Sequence, residues 1–569
     1  MSPTARERSA ALALFAVIAA AFTSPLFARP LHLGHGDWLW FHFTWDSARR
    51  SIVGFHELPW WNPYACGGTL GVANPQSFGF SPLFWLLLPL PTALAMKVYL
   101  ALAVFLALWG TWELAVHHRA GGPFAIVGAV LFGCSGTLGW HMNGQTSMAA
   151  FAGLPWLALF TRRAAADLRW SLAAGAALAT MTLSAGVYPT AFGALLVGAL
   201  TVLSVVERPR AWRRALTAAG ATLAAFTAFA AVKLVPMLEF LRDHGRPVGR
   251  DDAISPALLL PMLLERRTTE TQIWPHGGYI YAWWGEYGNY VGWTGLVVAL
   301  TLAALSGRRG RPVLALAALG LGLVLGDHGP LSPYALLREL PLFSSLRVPT
   351  RHWVLVDLGV ALAVAIGGAR LRRMRRPWAV PVSLALSVAS VWLVVDLVRT
   401  NGVAVFAGAM QTPPAPPDLP PAPIRQVRGE AHAMYRYPPR NLGTLACFDE
   451  VTVELSPRRR AGAPSEAWVD PPSTGAARVV AWSPSALVLD VDVAEGARVA
   501  VNQNGYRGWR VEGGTLDVRD HQLGARVPAG RHRVRLWYRP LGYRWGVALT
   551  AGAVLGAIVV LARRRRAAV

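Results

Sequence analysis

Apolar residues in this chain gather into long unbroken runs instead of the alternating faces of soluble helices and strands. A membrane-crossing helix needs about 20 apolar residues at roughly 1.5 Å rise each. Runs of that order lie near residues 10–28, 92–116, 122–140, 147–161, 170–186, 188–206, 215–236, 290–306, 311–326, 351–368, 378–398 and 544–562, the fourth being short. The pattern predicts a polytopic α-helical membrane protein with about twelve transmembrane helices. A further apolar piece, Pro82 to Leu90, is too short to span and reads as an interfacial or re-entrant segment.

Arginines punctuate the runs. With a cytoplasmic N-terminus and one crossing per run, the inner loops hold Arg119; Arg162, Arg163 and Arg169; Arg208, Arg210, Arg213 and Arg214. Next come Arg308, Arg309 and Arg311, then Arg370, Arg372, Arg373, Arg375 and Arg376, and finally the run Arg563 to Arg566. Every inner loop is therefore basic, as the positive-inside rule requires. The same count puts three long loops outside, at about 29–90, 237–289 and 327–350, together with a large segment from 399 to 543. The expected location is a cytoplasmic (inner) membrane, with both termini cytoplasmic and the C-terminal domain extracytoplasmic. The first run, after Arg6 and Arg8, lacks a clear small-residue cleavage site and is read as an uncleaved helix.

The multi-span domain thus covers residues 1–398. A proline-rich linker and irregular segment follow over 399–474, the linker running from Gln411 to Pro423. From about 475 to 543 the period changes to two, with Leu487, Leu489, Val491 and Val493 on one face. Later, Val534, Leu536 and Tyr538 alternate with Arg533, Arg535 and Trp537, and glycine-containing turns separate the runs. This predicts a small antiparallel β-sandwich, followed by a final helix and arginine tail over 544–569.

Composition agrees: 54% of residues are hydrophobic and 15% charged, too apolar for a soluble domain of 569 residues. The formal charge of +23 follows topology, and no nucleic-acid footprint emerges. Of three cysteines, Cys134 lies in an apolar run, whereas Cys66 and Cys447 share the outer side, where a disulfide would persist. Two free thiols are the simpler reading.

The short inner loops contain no Walker loop and no dinucleotide fingerprint, so a soluble nucleotide donor has no site there. A transfer reaction outside the cytoplasm needs a membrane-borne donor. The first outer loop is the richest segment, with Asp37, Asp46, Trp61 and Asn62 within Leu58-Pro-Trp-Trp-Asn-Pro-Tyr64, and Gln76. Asp37 follows the first span closely and is either a general base near the membrane surface or a cap for a short helix. Arg347 and Arg351, at the entry to a span, suit phosphate recognition, with interfacial snorkelling as the alternative. Lys97, Lys233, Asp357 and Asp396 fall within or at the rim of spans, where ionisable groups face a bundle interior or cavity. The second outer loop is aromatic (Trp274, Tyr279, Tyr281, Trp283, Trp284, Tyr287 and Tyr290, with Glu286) and reads as a sugar platform or an interfacial belt. Glu286 and the polar run His141, Asn143 and Gln145 are further candidates for contacts.

Taken in chain order, Gly36-Asp37, Leu58 to Tyr64, Asn74-Pro75-Gln76, Glu286-Tyr287 and Tyr290-Val-Gly292 resemble motifs of the YfhO-like bacterial membrane proteins, grouped with the GT-C membrane glycosyltransferases. The resemblance continues through Leu340-Pro-Leu-Phe343, Arg347-Val-Pro349 and Arg351 to Gly505-Tyr-Arg-Gly-Trp509, Pro528-Ala-Gly530 and Tyr538-Arg-Pro540. It implies a GT-C-like bundle that uses a polyprenyl-phosphate-linked sugar to glycosylate a cell-envelope polymer, lipid or protein. It also implies that an acidic residue of the first outer loop is the base, which maps onto Asp37, with Asp46 in reserve. A divalent metal ion is open as a cofactor, although the acidic pair common in that class is absent beside Asp37, which counts against one. Tyr-Arg-Gly-Trp stands where the family pattern has Tyr-Pro-Gly-Trp, a change in a turn. A lipid or polysaccharide transporter or flippase, and a noncatalytic envelope scaffold, are the competing readings.

Overall fold

A computed structural model of the chain describes residues 3–244, 253–266, 272–273, 282–408, 410–413, 415, 423–448 and 452–567. Among them, nine helices are long and apolar enough to cross a membrane, and two shorter apolar helices, Trp170–Leu183 and Arg311–Val324, accompany them. All twelve apolar runs contain helix, but two depart from a simple span. The run near 122–140 breaks into Pro123–Gly133 and Gly136–Gly144, because Ser135 turns out of the helix and caps the second piece through the Leu138 N–H. The run near 147–161 opens as a 3-10 helix, Thr146–Gly153, and leaves only Leu154–Ala164 as α-helix.

Trp353–Leu371 runs through the bundle centre, mostly buried and flanked by Pro123–Gly133, Arg311–Val324 and Gly292–Leu305. Its glycines permit that crowding: a Cβ at Gly367 would stand 1.8 Å from the Leu302 carbonyl oxygen. Small residues at such crossings supply the close packing that replaces the hydrophobic effect in lipid.

The first long loop is ordered. It contains the helix Asp37–Arg49, continued by a π-helical turn Arg50–Gly54, and the short helix Pro82–Leu87, too short to span. Towards the C-terminus, two four-stranded antiparallel sheets form a β-sandwich. One sheet has the order Thr515–Leu516, Gln522–Val527, Ala497–Asn504, Ala467–Asp470. The other runs Trp509–Glu512, Gly530–Tyr538, Ala486–Val493, Gly475–Ser483. The alternating residues Leu487, Leu489, Val491, Val534 and Leu536 fill the space between them. Strand Ala467–Asp470 begins before the expected boundary at 475.

The sandwich is locked to the membrane domain through the first loop. Trp61 is buried against Trp509 and Tyr538, and its indole N–H donates to Gln503 Oε1 at 2.8 Å. Asn504 donates to the carbonyls of Cys66 and Gly68 at 2.7 and 2.8 Å. The backbone of residues 64–67 pairs with 444–446, which brings Cys66 onto Cys447 with Cα atoms 4.7 Å apart. The two cysteines form a disulfide, which corrects the reading of two free thiols; backbone pairing across the long separation supplies the proximity. Cys134 stays free and buried.

This arrangement predicts a simple thiol count. In denatured, unreduced protein a thiol-reactive mass tag should add once, at Cys134, and after reduction three times, once for each cysteine. Three additions without reduction would refute the cross-link.

Candidate active site

Asp37 occupies the first turn of its helix, which Gly36 enters with a φ of 60° that favours glycine. A carboxylate at a helix N-terminus is favoured by the backbone dipole. Asp37 stays partly exposed, and its Oδ2 accepts a hydrogen bond of 2.9 Å from the Gln145 amide. Gln145 follows the helix Gly136–Gly144 directly, so the break at Ser135 sets where this amide lies. The same amide nitrogen reaches Glu286 Oε1 at 3.4 Å and thereby bridges two carboxylates from distant loops.

Glu286 is the hub. Arg351 grips it with two nitrogens, Nε to Oε2 at 3.0 Å and Nη2 to Oε1. His141 faces Oε2 at 3.1 Å through Nε2, while its Nδ1 faces the Thr137 carbonyl at 2.7 Å, so both ring nitrogens are placed to donate. Thr350 Oγ1 donates to the Glu286 carbonyl at 2.8 Å. The Arg351 guanidinium also lies 4.1 Å from the centre of the Tyr188 ring, and its side chain is only 3% exposed. The Tyr188 hydroxyl accepts the Arg347 backbone N–H at 3.3 Å, so one tyrosine orders both arginines. Between them Val348 adopts φ 65°, a left-handed conformation that costs a β-branched residue on the order of 1–3 kcal/mol.

Burial raises the Asp37 carboxyl above its ordinary range. The Gln145 hydrogen bond opposes that shift, Glu286 adds to it, and the charges of Arg351 and Arg347 pull the other way. Arg347 is exposed, whereas Arg351 is fully engaged by Glu286. The structure therefore gathers Asp37, His141, Gln145, Glu286, Arg347 and Arg351 into one polar cluster.

Other candidates lie elsewhere. Asp46 pairs with Arg50 at 2.9 Å and accepts from Thr92 Oγ1 at 2.9 Å. Trp61 sits in the joint with the sandwich, and Asn62 Oδ1 accepts from the Tyr64 N–H at 3.1 Å. Gln76 accepts from the Trp40 indole at 2.8 Å. Lys97 donates to the carbonyls of Arg29 and Pro30, and Lys233 to those of Pro75, Ser77 and Thr182. Asp357 accepts from Asn289 at 2.8 Å, and Asn143 is buried. Tyr287 packs among Ile254, Met262, Val324 and Trp353. Tyr290 donates to Asp396 at 2.7 Å and accepts from Arg266. Trp274, Tyr279 and Tyr281, and the side chains of Trp283 and Trp284, lie outside the described residues. Tyr188, Val348 and Thr350 carry no sequence signal of their own beyond a tyrosine at the start of the apolar run 188–206.

Among the described residues no group of three or more His, Cys, Asp or Glu side chains is arranged to hold a metal ion. Glu286, the carboxylate nearest Asp37 in the cluster, is committed to Arg351 and His141, a donor set that fits an ion-pair network and not a metal cage.

No family model matches the chain, and no curated protein does. Among solved structures, it is similar to the arabinofuranosyltransferase AftD from Mycobacteria, with TM-score 0.48 and 17% identity over 95% of this chain. A structure of a mutant of that transferase gives TM-score 0.46 and 16% identity over 94%. The chain spans 40% and 42% of the length of those two proteins.

Removing one member of a buried ion pair strands the other. Glu286→Gln should lower stability by on the order of 3 kcal/mol, read as a fall in the melting temperature of purified protein. Glu286→Gln combined with Arg351→Met should recover most of the loss. A single variant that melts with the wild type would mean the pair is solvated and idle.

Proposed function

We propose that this protein is a GT-C-type, YfhO-like membrane glycosyltransferase acting on the outer face of a bacterial cytoplasmic membrane. Its donor is a polyprenyl-phosphate-linked sugar, and its acceptor a hydroxyl of a cell-envelope polymer, lipid or protein. The observation that carries the reading is one partly exposed carboxylate, Asp37, bonded to Gln145 at 2.9 Å and within electrostatic reach of an exposed guanidinium, Arg347, which stands two residues before the membrane-length helix Pro349–Leu371. Asp37 takes the acceptor hydroxyl proton as the acceptor oxygen bonds to the anomeric carbon. The bond from that carbon to the phosphate oxygen breaks, and Arg347 offsets the charge left on the lipid phosphate. Gln145, which also reaches Glu286, keeps Asp37 in position, so Arg351, its charge neutralised by Glu286, acts as a positioning residue and leaves the phosphate to Arg347. The arginine-rich inner loops support the proposed orientation, and the Cys66–Cys447 disulfide suits an oxidising outer compartment. A transporter or flippase reading draws no support from Lys97 or Lys233, since both ammonium groups are bound to backbone carbonyls.

Purified protein supplied with a polyprenyl-phosphate sugar and envelope acceptor should release polyprenyl phosphate. Asp37→Asn should lower that rate by roughly 10²-fold or more, while Asp46→Asn keeps most of it. An Asp37→Asn enzyme of wild-type rate would sink the assignment. Because a base works only when ionised, activity should rise with pH through a midpoint above the ordinary aspartate value of 3.8. Arg347 lowers that midpoint, so Arg347→Ser should move the acid limb to higher pH. A shift to lower pH would contradict the proposed electrostatics.

A further inference from the structure

Where the sandwich meets the last membrane helix, Tyr543–Ala567, arginines gather without counter-charges. Arg510 stands directly across the sheet from Trp537, and Arg539 follows two residues after Trp537. The Arg539 guanidinium lies 5.7 Å from the Trp60 ring, whose neighbour Tyr543 is 5.2 Å away between ring centres. Arg544 follows Tyr543 directly in the first turn of the helix, and Arg544, Arg539 and Arg510 are all close enough for their charges to bear on that one phenol. Among the described residues none of the three makes an ion pair with a carboxylate. Glu512, the acid on the same sheet edge, stands across from Arg535.

Three like charges around one ring repel each other, and Arg544, in the first turn of a helix, also opposes the helix dipole. Neither arrangement serves stability. The surroundings indicate what offsets them: Trp545 is 75% exposed and Leu541 40% exposed, at the depth where this helix enters the apolar layer. Exposed tryptophan beside arginine at a span end is the composition of a membrane–water interface. We propose that Arg510, Arg539 and Arg544 form a binding site for the phosphate headgroup of an anionic phospholipid in the leaflet on the sandwich side. Trp545 and Leu541 lie along its acyl chains. Their positive charges attract the phosphate oxygens, as lysines at the same positions would, and low polarity at this depth strengthens the contact. The site is separate from the Asp37 cluster, and its occupancy requires no catalytic activity.

The test uses the full chain, disulfide intact, with a fluorophore on Leu541→Cys, reconstituted in phosphatidylcholine bilayers. Quenching by spin-labelled phosphatidylglycerol is compared with quenching by spin-labelled phosphatidylcholine. The expected preference for phosphatidylglycerol is at least about five-fold, the contribution of roughly one arginine at a charged surface. It should vanish in the Arg510→Ser, Arg539→Ser, Arg544→Ser variant and persist in the corresponding triple lysine variant, which controls for folding. Equal quenching by the two lipids, a preference that survives the serine changes, or its loss in the lysine protein would overturn the site. Displacement of the lipid by micromolar soluble acidic polysaccharide would overturn it too, by reassigning the patch to a polymer.

Discussion

A charge at the edge of a membrane-crossing bundle has no bulk water to fall back on, so the chain itself must supply its partners. Glu286 illustrates the constraint, being satisfied by Arg351 from one segment and by His141 and the Gln145 amide from another. Lys233 collects carbonyls from the first loop and from the helix Trp170–Leu183, and Lys97 ties down the chain leaving the first helix. Asp396 is held by Tyr290 and Arg266. Each demand is met by a different part of the chain, so the polar contacts also staple the bundle together. Broken helices are admissible under the same constraint only because side chains take over the freed backbone groups. Asn401, inside a π-helical turn, bonds the carbonyls of Cys134 and Tyr290 at 2.9 Å.

The loop that carries Asp37 is held at both ends. Its helix leans on Gln145 at one end, and beyond the π-turn the stretch from Trp61 to Gly68 is built into the sandwich. Gly68 shows how tight the joint is, since a Cβ there would come within 2.8 Å of the Trp61 indole nitrogen. The β-domain thus acts as a brace for the loop that supplies the proposed base. A site held to a fraction of an ångström needs such support beyond its first contacts.

Much of this was legible in the chain, for reasons that differ by element. Bilayer thickness dictates run length, so all twelve apolar runs announced helices, and the period-two pattern from Leu487 to Val493 announced a strand buried on one face. Asp37, His141, Gln145, Glu286 and Arg351 stood out by residue type. Their assembly did not, because His141 and Glu286 are 145 positions apart and nothing local encodes the pairing. Tyr188 carries no local mark of its role, since a rim tyrosine is ordinary, and the left-handed backbone of Val348, within Arg347-Val-Pro349, is imposed by its surroundings. Leu58 to Tyr64 is rich in Trp, Asn and Pro, a composition equally suited to a sugar platform and a packing joint. Cys66 and Cys447 meet through backbone pairing that only the folded chain displays.

That pairing sets an order of assembly. Cys66 is separated from its partner by 381 positions, and Asn504, which grips the same turn, by still more. At ordinary synthesis speeds of about 5–20 residues per second, that interval lasts on the order of tens of seconds. Throughout it, the turn next to the Asp37 helix has neither its cross-link nor its carbonyl partners. A truncated chain carries every residue of the polar cluster yet never acquires the brace. The loop that carries the proposed base therefore gains its clasp only after Cys447 and Asn504 have been made.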